Sequence, residues 1–239
     1  MLIIWLFASF IYTWQIMKTI ALINRKGGVG KSALAIALAV ESELRGNQTI
    51  VIDTDEQASV FKWSKRRESA SPYVVASQLV QVPDYLEQAR NADAGFAIID
   101  TAGLAAQSTL ELARLSDLVV IPTGPSIRDI EALSVAIDIA NMAKKPHLIV
   151  LNKMRPNSMR KFNEIREELV DMFSANVFSG SISLRQAQED ADIRGLAPQE
   201  YESKTATEIS VLYNGIDNLL SNNQTSNVEN NRTEAPIYE

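Results

Sequence analysis

The stretch Lys26-Gly27-Gly28-Val29-Gly30-Lys31-Ser32 decides the fold of this 239-residue chain. The apolar, β-forming run 19–24 precedes it, and the helix-forming run 32–43 follows it. Glycines allow successive backbone N–H groups to turn toward phosphate oxygens, and a helix start adds partial positive charge. Strand, glycine loop and helix in this order predict a phosphate-binding loop, with Lys31 on the β- and γ-phosphates and Ser32 on Mg²⁺. A glycine turn with a solvated lysine is the alternative.

The loop departs from the standard pattern G-x-x-x-x-G-K-[ST], because Arg25 stands where the first glycine is expected. The additional Lys26 makes the loop resemble the ParA/MinD family of deviant Walker ATPases, whose motif is K-G-G-x-x-K-[ST]. Three later stretches resemble the same family in the right order, namely residues 51–57, 96–103 and 119–126. Glu56 differs from the family, which usually has proline there.

The resemblance covers about residues 17–220 and implies one α/β domain with the fold of the P-loop NTPases. Such a domain has a mostly parallel, twisted sheet with helices on both faces. The pattern of the chain agrees, because apolar runs near 19–24, 50–53, 73–76, 96–100, 118–121, 148–151 and 176–178 predict seven strands. Helices are predicted at 31–45, 57–68, 83–93, 105–115, 126–143, 157–173 and 205–220.

Family resemblance also implies ATP and Mg²⁺ as ligands. The nucleotide would be held by Lys26, Gly27, Gly28, Val29, Gly30, Lys31, Ser32 and Ala33, with Asn152 contacting adenine. Lys26 would cross a dimer interface to the partner's ATP, so that ATP pairs two subunits; contact with its own nucleotide alone is the alternative. Asp55 would position the attacking water, which gives the predicted catalytic residues Lys26, Lys31 and Asp55.

The chemistry of two strand ends predicts the metal site. Asp53 and Asp100 each end an apolar run, at the sheet edge where open parallel sheets bind ligands. A carboxylate there would hold Mg²⁺ through its water shell, so Ser32, Asp53 and Asp100 are the predicted metal-binding residues. Asp55 follows Asp53 by two residues and faces the same side of an extended segment. The alternatives are turn or helix-cap roles for the aspartates, and a turn role for Asn152.

Composition excludes several kinds of chemistry. The chain has no cysteine and one histidine, which excludes thiolate catalysis, iron–sulfur clusters and multi-cysteine zinc sites. The nitrogenase iron protein and iron–sulfur carrier ATPases, which share the loop, are therefore set aside. A net charge of −6 disfavours general nucleic-acid coating, yet residues 144–163 contain no acid. This stretch predicts a DNA-phosphate surface, or else an ordinary solvated face, formed by Lys144, Lys145, Arg155, Arg160 and Lys161, with Arg185 added.

The two ends of the chain differ from the domain between them. Residues 1–16 carry no charge and are too few to span a membrane as a helix. We expect translation to start at Met17, or the extension to be non-functional, with interfacial anchoring as the alternative. Residues 221–239 are polar and rich in asparagine, which predicts a disordered tail.

The family resemblance implies a partitioning ATPase, and the one-domain layout resembles the small plasmid-partition type. An ATP-bound homodimer would bind non-specific DNA, and a ParB-like adaptor on plasmid or chromosome cargo would stimulate slow basal hydrolysis. Filaments are the alternative to dimers. The expected location is the cytoplasm, associated with the nucleoid, without integral membrane insertion. Alternative functions are a MinD-like switch at a membrane or protein surface, a metabolic or kinase relative, and a scaffold that binds ATP without turnover.

Overall fold

The computed structural model describes residues 16–103 and 106–233. Its strands are β1 (Lys18–Leu22), β2 (Thr49–Asp53), β3 (Tyr73–Ala76), β4 (Phe96–Asp100), β5 (Leu118–Thr123), β6 (His147–Met154) and β7 (Val177–Ser183). They form one parallel sheet in the order β3-β2-β4-β1-β5-β6-β7. The predicted parallel α/β fold is confirmed, with each strand near its predicted position.

Helices cover both faces of the sheet. They are α1 (Lys31–Leu44), α2 (Ser59–Arg66), α3 (Val82–Asn91), α4 (Ala106–Leu115), α5 (Ile127–Glu131), α6 (Leu133–Met142), α7 (Met159–Phe173), α8 (Gln186–Ile193), α9 (Pro198–Tyr201) and α10 (Ser203–Thr233), with a 3₁₀ turn at Leu79–Gln81. Helices α3, α4, α6 and α7 pack on one face, and α1, α2 and α10 pack on the other. The domain is therefore a three-layer α/β/α structure.

Strand β4 shows why the central strands are continuous apolar runs in the sequence. Ala97 and Ile99 belong to the core under α3 and α4, whereas Phe96 and Ile98 belong to the core under α1 and α10. Alternate residues of a strand point to opposite faces, and both faces are covered here. Burial on both sides leaves the end of the strand as the place for a polar residue, and Asp100 stands there.

Strand register brings the polar strand ends together. Asp100 lies directly opposite Asp53 on one side and opposite Leu22 on the other. All three strands run in the same direction, so the loops that follow them open at one edge of the sheet. We call this edge the carboxyl edge. It holds the glycine loop, the segment containing Asp55 and the segment that follows Asp100.

Three features differ from the sequence predictions. The helix predicted at 126–143 is divided at Ala132 into α5 and α6, and α8 and α9 were not predicted. Helix α10 continues to Thr233, although a disordered tail was predicted from residue 221. No proline or glycine lies between Gly215 and Pro236, so the backbone meets no helix breaker in that interval.

The predictions for residues 1–15 and for the last six residues fall outside the described part of the chain. Across residues 16–103 and 106–233, no helix combines the length and apolar character that crossing a membrane requires.

Trp63 anchors α2 to the segment between α8 and α9. Its side chain is completely buried, and its indole Nε1 donates a hydrogen bond to the Leu196 carbonyl oxygen at 3.1 Å. The Arg67 guanidinium lies over the ring, 5.1 Å from its centre, and also forms an ion pair with Glu200. A buried aromatic with a satisfied N–H is among the larger single contributions to a core.

We expect Trp63→Ala to lower the free energy of unfolding by about 3–5 kcal/mol, because it leaves a large cavity and an unpaired carbonyl. Urea denaturation followed by circular dichroism measures this change. The matched control is Tyr73→Ala, since Tyr73 is an aromatic residue with 63% of its surface exposed. An equal loss of stability in both variants would contradict the anchoring role of Trp63.

Candidate functional site

The glycine loop ends in a helix start that no side chain caps. Gly30 adopts φ 94°, in the left-handed region, and precedes α1 without a side-chain hydrogen bond or an acid in the first turn. A Cβ on Gly30 would overlap the Asn152 amide, so only glycine fits both the conformation and the space. Within the described residues, no side chain caps the first N–H groups of α1, at the positive end of the helix dipole. This arrangement suits an anion such as a phosphate group.

Two buried asparagines hold the loop. Asn24 donates from Nδ2 to the Pro122 carbonyl oxygen at 2.9 Å and accepts from the Lys26 N–H at 2.9 Å. Asn152 donates from Nδ2 to the Val29 carbonyl oxygen at 2.8 Å. The loop is therefore pinned to β5 near its beginning and to β6 near its end. Sequence reasoning missed Asn24, whose only signal was an amide at the end of an apolar strand.

Both ends of the Asn152 amide form hydrogen bonds within the protein. Besides its bond to the loop, its Oδ1 accepts from the Lys153 N–H at 2.9 Å, and the residue is 5% exposed. These contacts assign Asn152 to the support of the loop. The contact with adenine stays a prediction.

Lys31 is the buried cation of the site. It is 8% exposed, and burial lowers its pKa, while the charges of Asp100 and Asp55 raise it. A lysine held in this way keeps its three donors near the first turn of α1. It can therefore meet a phosphate oxygen with little reorganisation.

Asp100 is the least satisfied polar group of the site. It is fully buried, and neither carboxylate oxygen has a hydrogen-bond partner in the described part of the chain. Burial raises its pKa to about 7, against the lowering effects of the nearby Ser32 hydroxyl and of Lys31. Two orphaned carboxylate oxygens beside Ser32 suit a hard cation with its water shell, and so fit Mg²⁺.

Few protein groups are available for that ion. Over the described residues, no cluster of three or more His, Cys, Asp or Glu side chains could hold a metal by itself. Mg²⁺ bound with a nucleotide needs only one or two protein ligands, because phosphates and waters supply the rest. Ser32 and Asp100 are enough for this mode of binding, in which the ion would neutralise phosphate charge.

Asp53 has a different environment from Asp100, although the two lie opposite each other. Its Oδ2 accepts the N–H groups of Val60 at 2.9 Å and Phe61 at 3.0 Å, and its Oδ1 accepts the Asp55 N–H at 3.1 Å. Burial raises its pKa, and these three backbone donors lower it. Asp53 therefore caps α2, and its role as a metal-binding residue stays a prediction.

Asp55 lies in the turn after β2. Its side chain is half-buried, its Oδ1 accepts the Gln57 N–H at 2.9 Å, and its charge acts on both Lys31 and Asp100. Strand β2 ends at Asp53, so the segment is not extended as far as the sequence reasoning assumed. Water can reach Asp55, in contrast to Asp53 and Asp100. Its predicted role in positioning water is untested.

Lys26 forms an ion pair with Asp129 of α5, and about a third of the Lys26 side chain is exposed. The Asp129 pKa is lowered, because hydrogen bonds from Lys26 and Ser126 outweigh the effect of burial. A Cβ on Gly124 would overlap the Asp129 carboxylate, so this glycine permits the close approach. The loop lysine is thus held within its own subunit, 103 residues along the chain from its partner.

The predicted basic surface does not form one patch. Lys144 and Lys145 precede β6, whereas Arg155, Arg160 and Lys161 follow it at the carboxyl edge. A strand of eight residues separates the two groups by about 23 Å. Arg185 is 16% exposed and forms ion pairs with Glu208 and Glu202, so its charge is neutralised inside the protein. These ion pairs disfavour a contact between Arg185 and DNA, which stays a prediction.

Comparison with known proteins agrees with this geometry. The family CbiA, described as the CobQ/CobB/MinD/ParA nucleotide binding domain, matches residues 20–198. The chain belongs to this family. A relative named maintenance of carboxysome distribution protein A, from Gloeobacter kilaueensis, is 27% identical over 82% of this chain and 90% of its own length.

Other members of the CobQ/CobB/MinD/ParA family match in sequence or in fold. Protein ParA of Rhizobium radiobacter is 26% identical over 47% of this chain and 51% of its own length. The septum site-determining protein MinD from Pyrococcus horikoshii, solved with Mg-ADP, superposes with a TM-score of 0.65 at 17% identity. That superposition covers 85% of this chain and 97% of the MinD chain, and it shows a shared fold.

The raised pKa of Asp100 predicts how stability depends on pH. Between the unfolded pKa near 4 and the folded value of about 7, the folded state keeps a proton that the unfolded state loses. Stability of the nucleotide-free protein therefore falls as pH rises through this window. We expect Asp100→Asn to raise the free energy of unfolding at pH 8 by on the order of 2–4 kcal/mol, and to have little effect at pH 4.

Urea unfolding at both pH values measures this difference. Asp138→Asn is the control, because Asp138 is an exposed aspartate on α6. A stabilisation by Asp100→Asn that is equal at pH 4 and pH 8 would refute the buried-charge explanation.

The ion pair between Lys26 and Asp129 predicts competition with phosphate. We expect Asp129→Asn to strengthen ADP binding about fivefold, because it removes a negative charge beside the loop and frees the lysine. Calorimetric titration at low salt measures the Kd. Glu131→Gln, which neutralises an exposed carboxylate two residues away, should leave it unchanged. Weaker binding in Asp129→Asn would instead show that Asp129 positions Lys26.

Proposed function

We propose that this protein is a Mg²⁺-dependent ATPase that acts as a dimerising switch and positions cargo in the cell. One observation carries the proposal: the uncapped start of α1 lies beside the buried cation Lys31 and the orphaned carboxylate of Asp100. A phosphate group and a Mg²⁺ ion would together satisfy all three groups. The Mg-ADP in the MinD structure of the same fold supports this choice of ligand.

Hydrolysis needs a water in line with the terminal phosphate. Asp55 is half-buried at the same edge, and its charge acts on Lys31, which supports its role in positioning that water. Its Oδ1 already accepts a backbone N–H from Gln57, so part of its capacity to bind the attacking water is in use. Slow basal turnover, which a partner protein accelerates, would follow.

Pairing of two subunits would use the face that carries the glycine loop. Lys26 lies at its rim with part of its side chain in solvent, and Ile127 on the neighbouring α5 is 75% exposed. An apolar side chain beside a cation supports a protein contact at this face. Lys26 would then leave Asp129 and contact the partner's phosphates, offsetting the repulsion between two nucleotides. Filaments remain the alternative assembly.

The surface to which the ATP-bound dimer binds would be non-specific DNA of the nucleoid. Lys153, Arg155, Arg160 and Lys161 are exposed at or after the end of β6, on the same edge as the glycine loop. Backbone phosphates need only a cluster of such cations, with no base contacts. Because the cluster and the loop share an edge, ATP-driven pairing would bring two cationic clusters together. Cargo would be a plasmid or chromosome bound by a ParB-like adaptor.

A protein body is the second candidate cargo, and one specific observation favours it. The relative named for carboxysome distribution matches 82% of this chain, whereas the ParA relative matches 47%. Such a body would be carried by its own adaptor. A membrane is the alternative to DNA as the surface that the dimer binds.

The test is DNA binding by the Asp55→Ala variant, in which ATP would persist. We expect fluorescence anisotropy with non-specific duplex DNA to show binding with ATP and none with ADP. Binding should weaken steeply as salt rises, and Lys31→Ala added to this variant should abolish it. ATP-dependent pairing without DNA binding would support the dimerising ATPase and contradict DNA as the surface that it binds.

A matched pair of double charge reversals locates the surface. Reversal of Arg160 and Lys161 to Glu should reduce the steepness of log K against log salt by about 4 in the ATP-bound dimer, because four fewer DNA phosphates are neutralised, two for each subunit. Reversal of Lys144 and Lys145 changes the net charge equally at the opposite edge, and should have little effect. Equal effects of the two reversals would contradict a DNA surface at the carboxyl edge.

A further inference from the structure

Two cavities flank the first turn of α1. The first, of about 30 Å³ and too small to hold a ring by itself, is lined by residues that include Gly30, Ala33, Asn152, Lys153, Gln188 and Pro198. The second, of about 220 Å³, is lined by residues that include Ser32, Ala33, Ile36, Trp63, Gln188 and Pro198. Because Ala33, Gln188 and Pro198 belong to both walls, we treat the two cavities as one trough.

The position of the trough suits the base of a nucleotide. It begins at Gly30 and Ala33, directly beside the loop on which phosphates are proposed to lie. Its walls are largely apolar, with Ile36, Trp63 and Leu196 on one side. A purine ring prefers such a surface, and a few polar groups then fix which purine binds.

Gln188 is the polar side chain that the two cavities share. Its Nε2 donates to the Ser183 carbonyl oxygen at 3.0 Å. Ser183 is itself fixed, because its N–H and hydroxyl donate to the two carboxylate oxygens of Glu208, at 2.9 and 2.7 Å. The one hydrogen bond shown for the Gln188 side chain within the described residues is this bond from Nε2, and Oε1 accepts none. The amide nitrogen is thus held in place, and the oxygen is the free acceptor.

Adenine and guanine differ at the position that such an acceptor reads. Adenine carries an amino donor at C6, whereas guanine carries a carbonyl acceptor there. A fixed Oε1 can accept from the adenine amino group, but it would face the guanine oxygen with no proton between them. Rotation of the amide to present Nε2 instead would break its bond to Ser183.

We infer that Gln188 is the residue that selects adenine, through a hydrogen bond from the C6 amino group to its Oε1. This inference rests on the proposed binding of a nucleoside phosphate by the glycine loop. Asn152, by contrast, uses both ends of its amide, to hold the glycine loop and to accept from the Lys153 N–H within β6. Gln188 is a specificity-determining residue, and the phosphates bind without its help.

The experiment compares three diphosphates that differ only in the base: ADP, GDP and purine riboside 5′-diphosphate, which lacks a substituent at C6. Calorimetric titration gives the Kd of each for the wild type and for Gln188→Leu. Diphosphates are used because the proposed dimerisation requires ATP and would otherwise contribute to the measured affinity. We expect the wild type to prefer ADP over both analogues by on the order of 10- to 100-fold. In Gln188→Leu, ADP should bind about as weakly as purine riboside diphosphate.

The affinity for purine riboside diphosphate should be the same in both proteins, which also verifies that the variant is folded. Gln186→Leu is the matched control, because Gln186 is an exposed glutamine on the same helix that bonds to Glu189. Its preference for ADP should equal that of the wild type.

Two outcomes would overturn the role of Gln188: a wild type that binds ADP and purine riboside diphosphate equally, or a Gln188→Leu variant that keeps the wild-type preference. A wild type that binds none of the three diphosphates would instead overturn the proposed function itself.

Discussion

The register of β1, β4 and β2 is the constraint on which the site depends. It places Leu22, Asp100 and Asp53 at one level, so that three loops leave the sheet side by side. Hydrogen bonds extend this register past the last residues. The Thr54 N–H and hydroxyl both donate to the Asp100 carbonyl oxygen, at 3.0 and 2.9 Å, and the Thr101 hydroxyl donates to the Leu22 carbonyl oxygen at 2.6 Å. The glycine loop and the two acidic segments therefore share one rigid base.

Asp53 and Asp100, which lie opposite each other at the ends of β2 and β4, have different roles. Asp53 uses both carboxylate oxygens to accept backbone N–H groups and holds α2. Asp100, directly opposite, has no such donors among the described residues, and its oxygens are the proposed ligands of an ion. Helix α2 then carries Trp63, whose indole reaches the Leu196 carbonyl oxygen in the wall of the trough. One packed unit thus extends from the end of β2 to the trough beside α1.

The sequence was a good guide wherever the signal is local. Glycine spacing predicts the phosphate loop, and continuous apolar runs predict the buried strands. Helices α8 and α9 were not predicted, because they are short, with eight and four residues, and have no sustained apolar period. The partners of Lys26 and Asn24 lie about 100 residues away, where no local pattern reaches. The basic stretch 144–163 is continuous in sequence, but β6 divides it in space.

The uncapped start of α1 has a thermodynamic consequence. The Ser126 side chain caps the first turn of α5, but no side chain in the described part of the chain caps α1, where the proposed nucleotide would bind. A ligand that binds only the folded state adds RT ln(1 + [L]/Kd) to stability, about 2.7 kcal/mol when its concentration is 100 times Kd. Where proteolysis follows the unfolded fraction, the lifetime of the chain then depends on the nucleotide pool. Supply of the ligand would regulate the amount of protein as well as its state.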